Sequence, residues 1–263
     1  MNNNGQTQKI ELKHNRFRLD RFGVLIALGM IFVVWQGVVY LFKIPSNVIP
    51  PLTDVMYELV TRFTSELWPQ MWETLRVALV GLGIGAPCGI LVASLISQFP
   101  VAEKVTYPYI IAMVTLPMVA LLPIVLTWTG FGITARIIVV IFQVIPIVTL
   151  NSITGFRKIE YAKIQLGQAV GATKFQIFTK TIFPNALPYV FTGLRLGTIF
   201  SLTTTISAEL VASNAGLGNR VTYYARMMLT ESSFACIILI AAIGVSIFMA
   251  LTAIEKKIVV WKK

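Results

Sequence analysis

Six stretches of the chain stay apolar for about the 20 residues that a helix needs to cross a bilayer. They are residues 22–41, 74–97, 105–127, 137–153, 187–211 and 234–254. In lipid the backbone must satisfy its own N–H and C=O groups, which a helix does within each segment. The expected fold class is therefore all-α: a polytopic membrane helical bundle of about six transmembrane helices. The first run is too long for a cleavable leader, and no small-x-small site follows it. The expected layout is a tail over 1–21, a transmembrane domain over 22–254 and a second tail over 255–263.

Charge supports this reading. Only 13% of residues are charged and 56% are hydrophobic, against about 25% charged in soluble domains. The net charge is +11, yet the basic residues cluster between apolar runs. That is a topology pattern, so no nucleic-acid partner is expected. Fifteen Lys and Arg fall before the first run, between the second and third, between the fourth and fifth, and after the sixth. Asp54, Glu58, Glu66, Glu73 and Glu231 fall on the other side. The positive side should be cytoplasmic, so both termini are expected inside a multi-pass cell (inner) membrane protein. A single His14 and the two apolar-run cysteines, Cys88 and Cys236, leave no His-based triad, metal site or disulfide framework to expect.

Between the first two runs, Pro45 and Pro50-Pro51 break the chain. Thr53 is then expected to cap a short amphipathic helix at the outer interface, with Trp68 and Trp72 as anchors. An ordinary connecting helix is the alternative. The second run carries Gly81, Gly85, Gly89, Ala93 and Ser97 at intervals of four, which allows close helix approach. Pro108, Pro117 and Pro123 are expected to kink the third run, and Pro146 the fourth, beside Gln143. The fifth run holds Arg195 and Glu209, fourteen residues and about 21 Å apart along a helix, too far to pair. Charge in lipid is costly, so both should face protein or water near opposite ends of the helix. Arg195, Glu209, Arg136 and Gln143 are the candidate pathway or gate residues; local satisfaction by neighbouring helices is the competing reading.

The segment 155–186 is basic and too polar to span. Ile164, Leu166 and Val170, then Phe175, Phe178 and Ile182, give apolar faces to two short helices. Gly171 is expected to separate them, Thr173 to cap the second and Pro184 to end it. An apolar, basic hairpin protruding from a membrane needs a partner surface.

This hairpin resembles the cytoplasmic signature of permease subunits of bacterial ATP-binding-cassette (ABC) importers. The signature runs Glu-Ala-Ala, three residues, Gly, nine residues, Ile, one residue, Leu-Pro. Gly171 and Pro184 stand at its Gly and Pro, while Gln165-Leu166-Gly167 replaces Glu-Ala-Ala, and Thr181 and Phe183 replace Ile and Leu. Leu121-Leu122-Pro123, Gly193-Leu194-Arg195, Ala208-Glu209 and Gly216-Leu217-Gly218 are similar to the nitrate/sulfonate/taurine branch of these permeases. The likeness covers about residues 45–255. It implies a coupling-helix loop on which cytosolic ABC ATPase subunits dock, through Gln165, Leu166, Gly167, Ala169, Gly171, Ala172, Phe175, Phe178 and Pro184. It also implies an extracytoplasmic substrate-binding protein and a homodimer of permeases in membrane lipid. Branch relatives carry small anions and vitamin precursors, and Arg136, Arg195, Arg220 and Arg226 suit an anion.

The chain has no phosphate-loop motif and no nucleophile–base pair. It is therefore expected to be a non-enzymatic subunit without a cofactor of its own, dependent on ATP hydrolysis by a partner. A standalone secondary transporter and a non-transporting membrane scaffold are the alternatives.

Overall fold

A computed structural model describes residues 29–261, together with positions 23 and 26. The tail over 1–21 and its basic residues lie outside the described residues. Helices carry the whole architecture; no strand occurs among the described residues. In chain order they are α1 (Gly29–Leu41), α2 (Leu52–Arg62), α3 (Trp68–Ile96), α4 (Pro100–Thr115), α5 (Leu122–Thr129), α6 (Ile133–Arg157), α7 (Tyr161–Ala169), α8 (Lys174–Ile177), α9 (Phe183–Ala212), α10 (Leu217–Arg226) and α11 (Thr230–Ile258).

Among the described residues three helical stretches are long and apolar enough to cross a bilayer: Leu52–Ile96, Ile133–Arg157 and Thr230–Ile258. The count reaches five if each of two bent pairs is one span. One pair is Pro100–Thr115 with Met118–Thr129, bent by 83°, and the other is Lys174–Ala212 with Leu217–Arg226, bent by 44°. The expected first span is described without interruption only over Gly29–Leu41, 13 residues, short of a full crossing.

Three helices form the centre. α3 and α6 run side by side in the same direction, and the small residues of α3 are the reason they can touch. A Cβ on Gly81 would lie 2.4 Å from Val140 Cγ1, and one on Gly85 would lie 2.9 Å from Val144 Cβ. At Gly89 it would lie 2.8 Å from the Ile145 carbonyl oxygen. The Thr149 hydroxyl is within 3.0 Å of the Gly89 carbonyl oxygen across the same interface. The stripe is thus used for packing within the subunit, where close approach replaces the hydrophobic drive that lipid does not supply. α9 packs antiparallel on α6, with Gly193 against Val148 and Asn151 and Gly155 of α6 against Ala186 and Tyr189. α11 closes against α9 and α10 through Leu202, Leu217, Tyr224, Cys236 and Leu239.

The prolines act unequally. The chain breaks at Leu116-Pro117, where Leu116 and Pro117 are both extended. Pro123 sits in the first turn of α5, where its missing N–H is no loss. Pro108 and Pro146 lie inside α4 and α6 without ending them.

Three expectations are corrected. α2 starts at Leu52, so Thr53 is inside the helix rather than capping it. Gln36 of α1 does the capping: its Oε1 accepts from the Leu52 N–H at 2.9 Å. α2 also runs on into α3 through a π turn, Phe63–Leu67, instead of standing apart as an interfacial helix. Pro184, likewise, does not end the second loop helix. A second π turn, Phe178–Ile182, leads from α8 straight into α9, with Pro184 in the first turn of α9. Both π turns precede a proline by the same spacing, Pro69 and Pro184. Proline lacks the donor for its i−4 carbonyl and its ring collides with that carbonyl, and a widened turn relieves both problems.

Candidate functional site

The loop between α6 and α9 is a hairpin of α7 and α8. Gly171 makes the reversal, with φ of 76°. The Ala172 N–H donates to the Gly167 carbonyl and the Gly171 N–H to the Gln168 carbonyl, each at 3.0 Å. This is a Schellman motif, which needs a left-handed residue where Gly171 stands. Thr173 then caps α8 as expected, in a capping box with Gln176. Gly167, at a signature alanine position, faces Ile177: a Cβ there would lie 3.0 Å from Ile177 Cγ1.

The hairpin divides its apolar residues. Leu166, Val170 and Phe175 are 68%, 75% and 75% exposed, and no residue of α7 is buried. Gln165 and Ala169 are exposed beside them, and Ala172 is half-buried. Phe178 and Ile182 instead turn into the bundle with Phe156 and Phe183. The Phe156 and Phe178 rings lie 5.3 Å apart. The tip thus presents an apolar surface while the base is fastened by aromatic packing. The ends of α6 and α4 are tied just inside it by the Arg157–Glu103 ion pair.

The opposite end of the bundle holds a buried polar cluster at the bend between α9 and α10. Glu209, in the last turn of α9, is fully buried. Its carboxylate accepts from the Thr74 hydroxyl of α3 at 3.0 Å and from the Gly218 N–H at 2.9 Å. Thr74 accepts in turn from the Leu217 N–H at 2.9 Å. Gln70 accepts from the Gly216 N–H at 2.7 Å. Glu209, Thr74 and Gln70 therefore meet the free donors where α10 begins, a favourable place for negative charge. Arg136 of α6 joins the cluster, with Nη2 2.7 Å from Glu73 and Nη1 3.5 Å from Glu209. A cleft of about 520 Å³ adjoins it, bounded by the start of α6, the end of α9 and α10.

The four candidate pathway residues do not form one site. Arg136 and Glu209 meet. Gln143 is buried two turns further along α6. Arg195 lies toward the hairpin end, where its Nη1 is 2.8 Å from Glu255 of α11. Glu209 sits in the last turn of α9, as expected, but Arg195 stands near the middle of the helix, because α9 begins at Phe183, ahead of the apolar run. Each is satisfied by a neighbouring helix. Sequence reasoning missed Glu73, Thr74, Gln70 and Glu255 as partners. The available signals were the Gly-Leu-Gly that begins seven residues after Glu209 and an acid at the end of the last apolar run.

Residues 85–260 match the family model described as "Binding-protein-dependent transport system inner membrane component". The chain is 27% identical over 240 residues to the taurine transport system permease protein TauC of Escherichia coli, covering 89% of this chain and 87% of that one. It is 27% identical over 244 residues to the formylaminopyrimidine transport permease protein ThiX of Halalkalibacterium halodurans, covering 89% and 93%. Among solved structures it is similar to a bacterial ABC transporter involved in the import of the acidic polysaccharide alginate. There the TM-score is 0.64 at 16% identity, covering 93% of this chain and 99% of that chain. That transporter has also been solved in complex with an alginate pentasaccharide-bound periplasmic protein, with a TM-score of 0.59 to this chain.

Proposed function

The chain belongs to the family of binding-protein-dependent transport system inner membrane components, and from that premise we propose how its two ends divide the work of an ABC importer permease. The hairpin end faces the cytoplasm and docks an ABC ATPase subunit. The far end faces outward and receives a small solute from an extracytoplasmic binding protein. Two copies of the chain line the path between them, and both termini lie inside.

The observation that carries this reading is the hairpin. Its exposed Leu166, Val170 and Phe175 leave an apolar surface outside the bundle. Such a patch marks a protein contact rather than a soluble face. The same helical stretch runs from Lys174 to Ala212 and ends beside Glu209. A push on the hairpin is therefore delivered along α9, about 45 Å of helix, to the opposite end. Lys158, Lys163, Lys174, Lys180, Lys256 and Lys257 at the hairpin end support the cytoplasmic orientation. The solute proposed is a small one, an anion such as a sulfonate, taurine, nitrate or bicarbonate, or a vitamin precursor. Names of the relatives and the arginines of the outer end support it.

The test is purification of the tagged protein from its native membrane in mild detergent, followed by identification of what is retained. An ATPase subunit should copurify. Substituting Leu166, Val170 and Phe175 together by Asp should release it without preventing membrane insertion. A protein that never retains an ATPase in several mild detergents would sink the docking reading and favour a standalone transporter or scaffold.

A further inference from the structure

The cleft at the far end is lined by α6, α9 and α10 and lies apart from the hairpin. At about 520 Å³ it falls in the size range of small-molecule sites. Its polar wall carries Arg136, Arg226, Asn214, Asn219, Thr222 and Tyr223, and no Asp or Glu lines it. Phe131 and Met227 supply an apolar side.

The two arginines differ in a useful way. Arg136 is only 5% exposed and is fixed by Glu73 and Glu209, neither of which belongs to the cleft wall. A guanidinium carries five N–H donors in a rigid fork, so ion pairs to two acids leave donors over. Arg226 is exposed and takes part in none of the ion pairs among the described residues. One guanidinium is held in the wall and the other stands free at the rim. Forked donors of this kind match the planar or tetrahedral oxygens of an oxyanion.

We propose that this cleft binds a small organic oxyanion, a sulfonate or carboxylate with a short apolar body, between Arg136 and Arg226. The oxygens face the guanidinium groups, and Phe131 and Met227 cover the body. This rests on the transport role proposed above and adds to it a recognition site on the permease itself. An anionic lipid headgroup has the same chemistry. The size of the cleft and its two-sided wall favour a free solute.

The test uses the assembled importer with its ATPase, in discs of zwitterionic lipid and without any binding protein. The probes are methanesulfonate and its uncharged near-isostere dimethyl sulfone, titrated by calorimetry. Methanesulfonate should bind and dimethyl sulfone should not. Arg226→Gln should weaken methanesulfonate by about tenfold, the loss of one charge-assisted contact, with the melting temperature unchanged. Adding anionic lipid should leave the binding as it was. Equal affinity in wild type and R226Q overturns the site, as does absence of binding in a complex that transports solute. Loss of methanesulfonate binding on adding anionic lipid overturns the solute assignment in favour of a headgroup. The transport role fails separately, if the assembled complex cannot be obtained or moves no solute at all.

Discussion

Gly216 and Glu209 stand so close that a methyl group on the first would overlap the carboxylate of the second. A Cβ at Gly216 would lie 2.2 Å from Glu209 Cδ. The backbone of Gly216 is also in a region that side chains resist, with φ of 101° and ψ of 162°. Gly216→Ala is expected to lower stability by about 1–3 kcal/mol from backbone strain alone, with the overlap added to it. Thermal melting in detergent measures this. An unchanged melting temperature would mean that the bend between α9 and α10 is not held by the buried carboxylate.

A second prediction concerns the Arg195–Glu255 pair. Arg195 keeps 23% side-chain exposure and Glu255 keeps 11%. Removing Arg195 takes one ion-pair partner from a mostly buried carboxylate. Arg195→Ala should therefore cost about 1–3 kcal/mol, less than for a fully buried pair because water reaches the guanidinium. Exchanging the charges, Arg195→Glu with Glu255→Arg, should recover part of the loss. If the double exchange is no better than either single change, the pair does not tie α9 to α11.

For α3 the prediction contrasts two neighbouring glycines. Gly85→Leu should prevent a stable fold, because a Cβ already sits 2.9 Å from Val144 Cβ. Gly83→Leu should be tolerated, because nothing lies within 4 Å of its Cβ position. Expression and monodispersity of the two variants in detergent decide it. Equal behaviour would contradict the α3–α6 contact.

The hairpin gives a fourth. Gly171→Val forces a β-branched residue into a left-handed backbone with φ of 76°, at a cost of about 1–2 kcal/mol. Nothing lies within 4 Å of the added Cβ, so the effect is on the turn and not on packing. Membrane insertion should be normal while solute-stimulated ATP hydrolysis falls. Full coupling in this variant would argue that the Schellman turn plays no part in transmission.

Much of this architecture can be read from residue type and spacing. The apolar runs of α6 and α11, the close approach coded by Gly81, Gly85 and Gly89, and the turn at Gly171 all follow from local rules. Partnerships between distant elements do not. Glu209 finds Thr74 at a separation of 135 residues and Arg136 at 73, and nothing in either local pattern points to the other. Proline is the clearest case of an ambiguous signal. Pro117 stands at a break of 83°, whereas Pro184 is absorbed into a continuous helix. The difference lies in the preceding turn: Leu116 is extended, while Phe178–Ile182 widens.

That widened turn has a consequence for the compass bearing of the hairpin. A π turn holds one more residue than the α-helical turns around it, so everything beyond it is out of phase by about 100°. The direction in which Phe175 points, relative to the glycine face that α9 packs on α6, is therefore set by one extra residue together with the aromatic packing of Phe178 at the base of the hairpin. Shortening the segment 178–182 by one residue would keep the chain helical and swing the apolar tip a quarter-turn around the bundle. Phase along a single helix, as much as affinity at its tip, decides whether a docked partner pushes in the right direction.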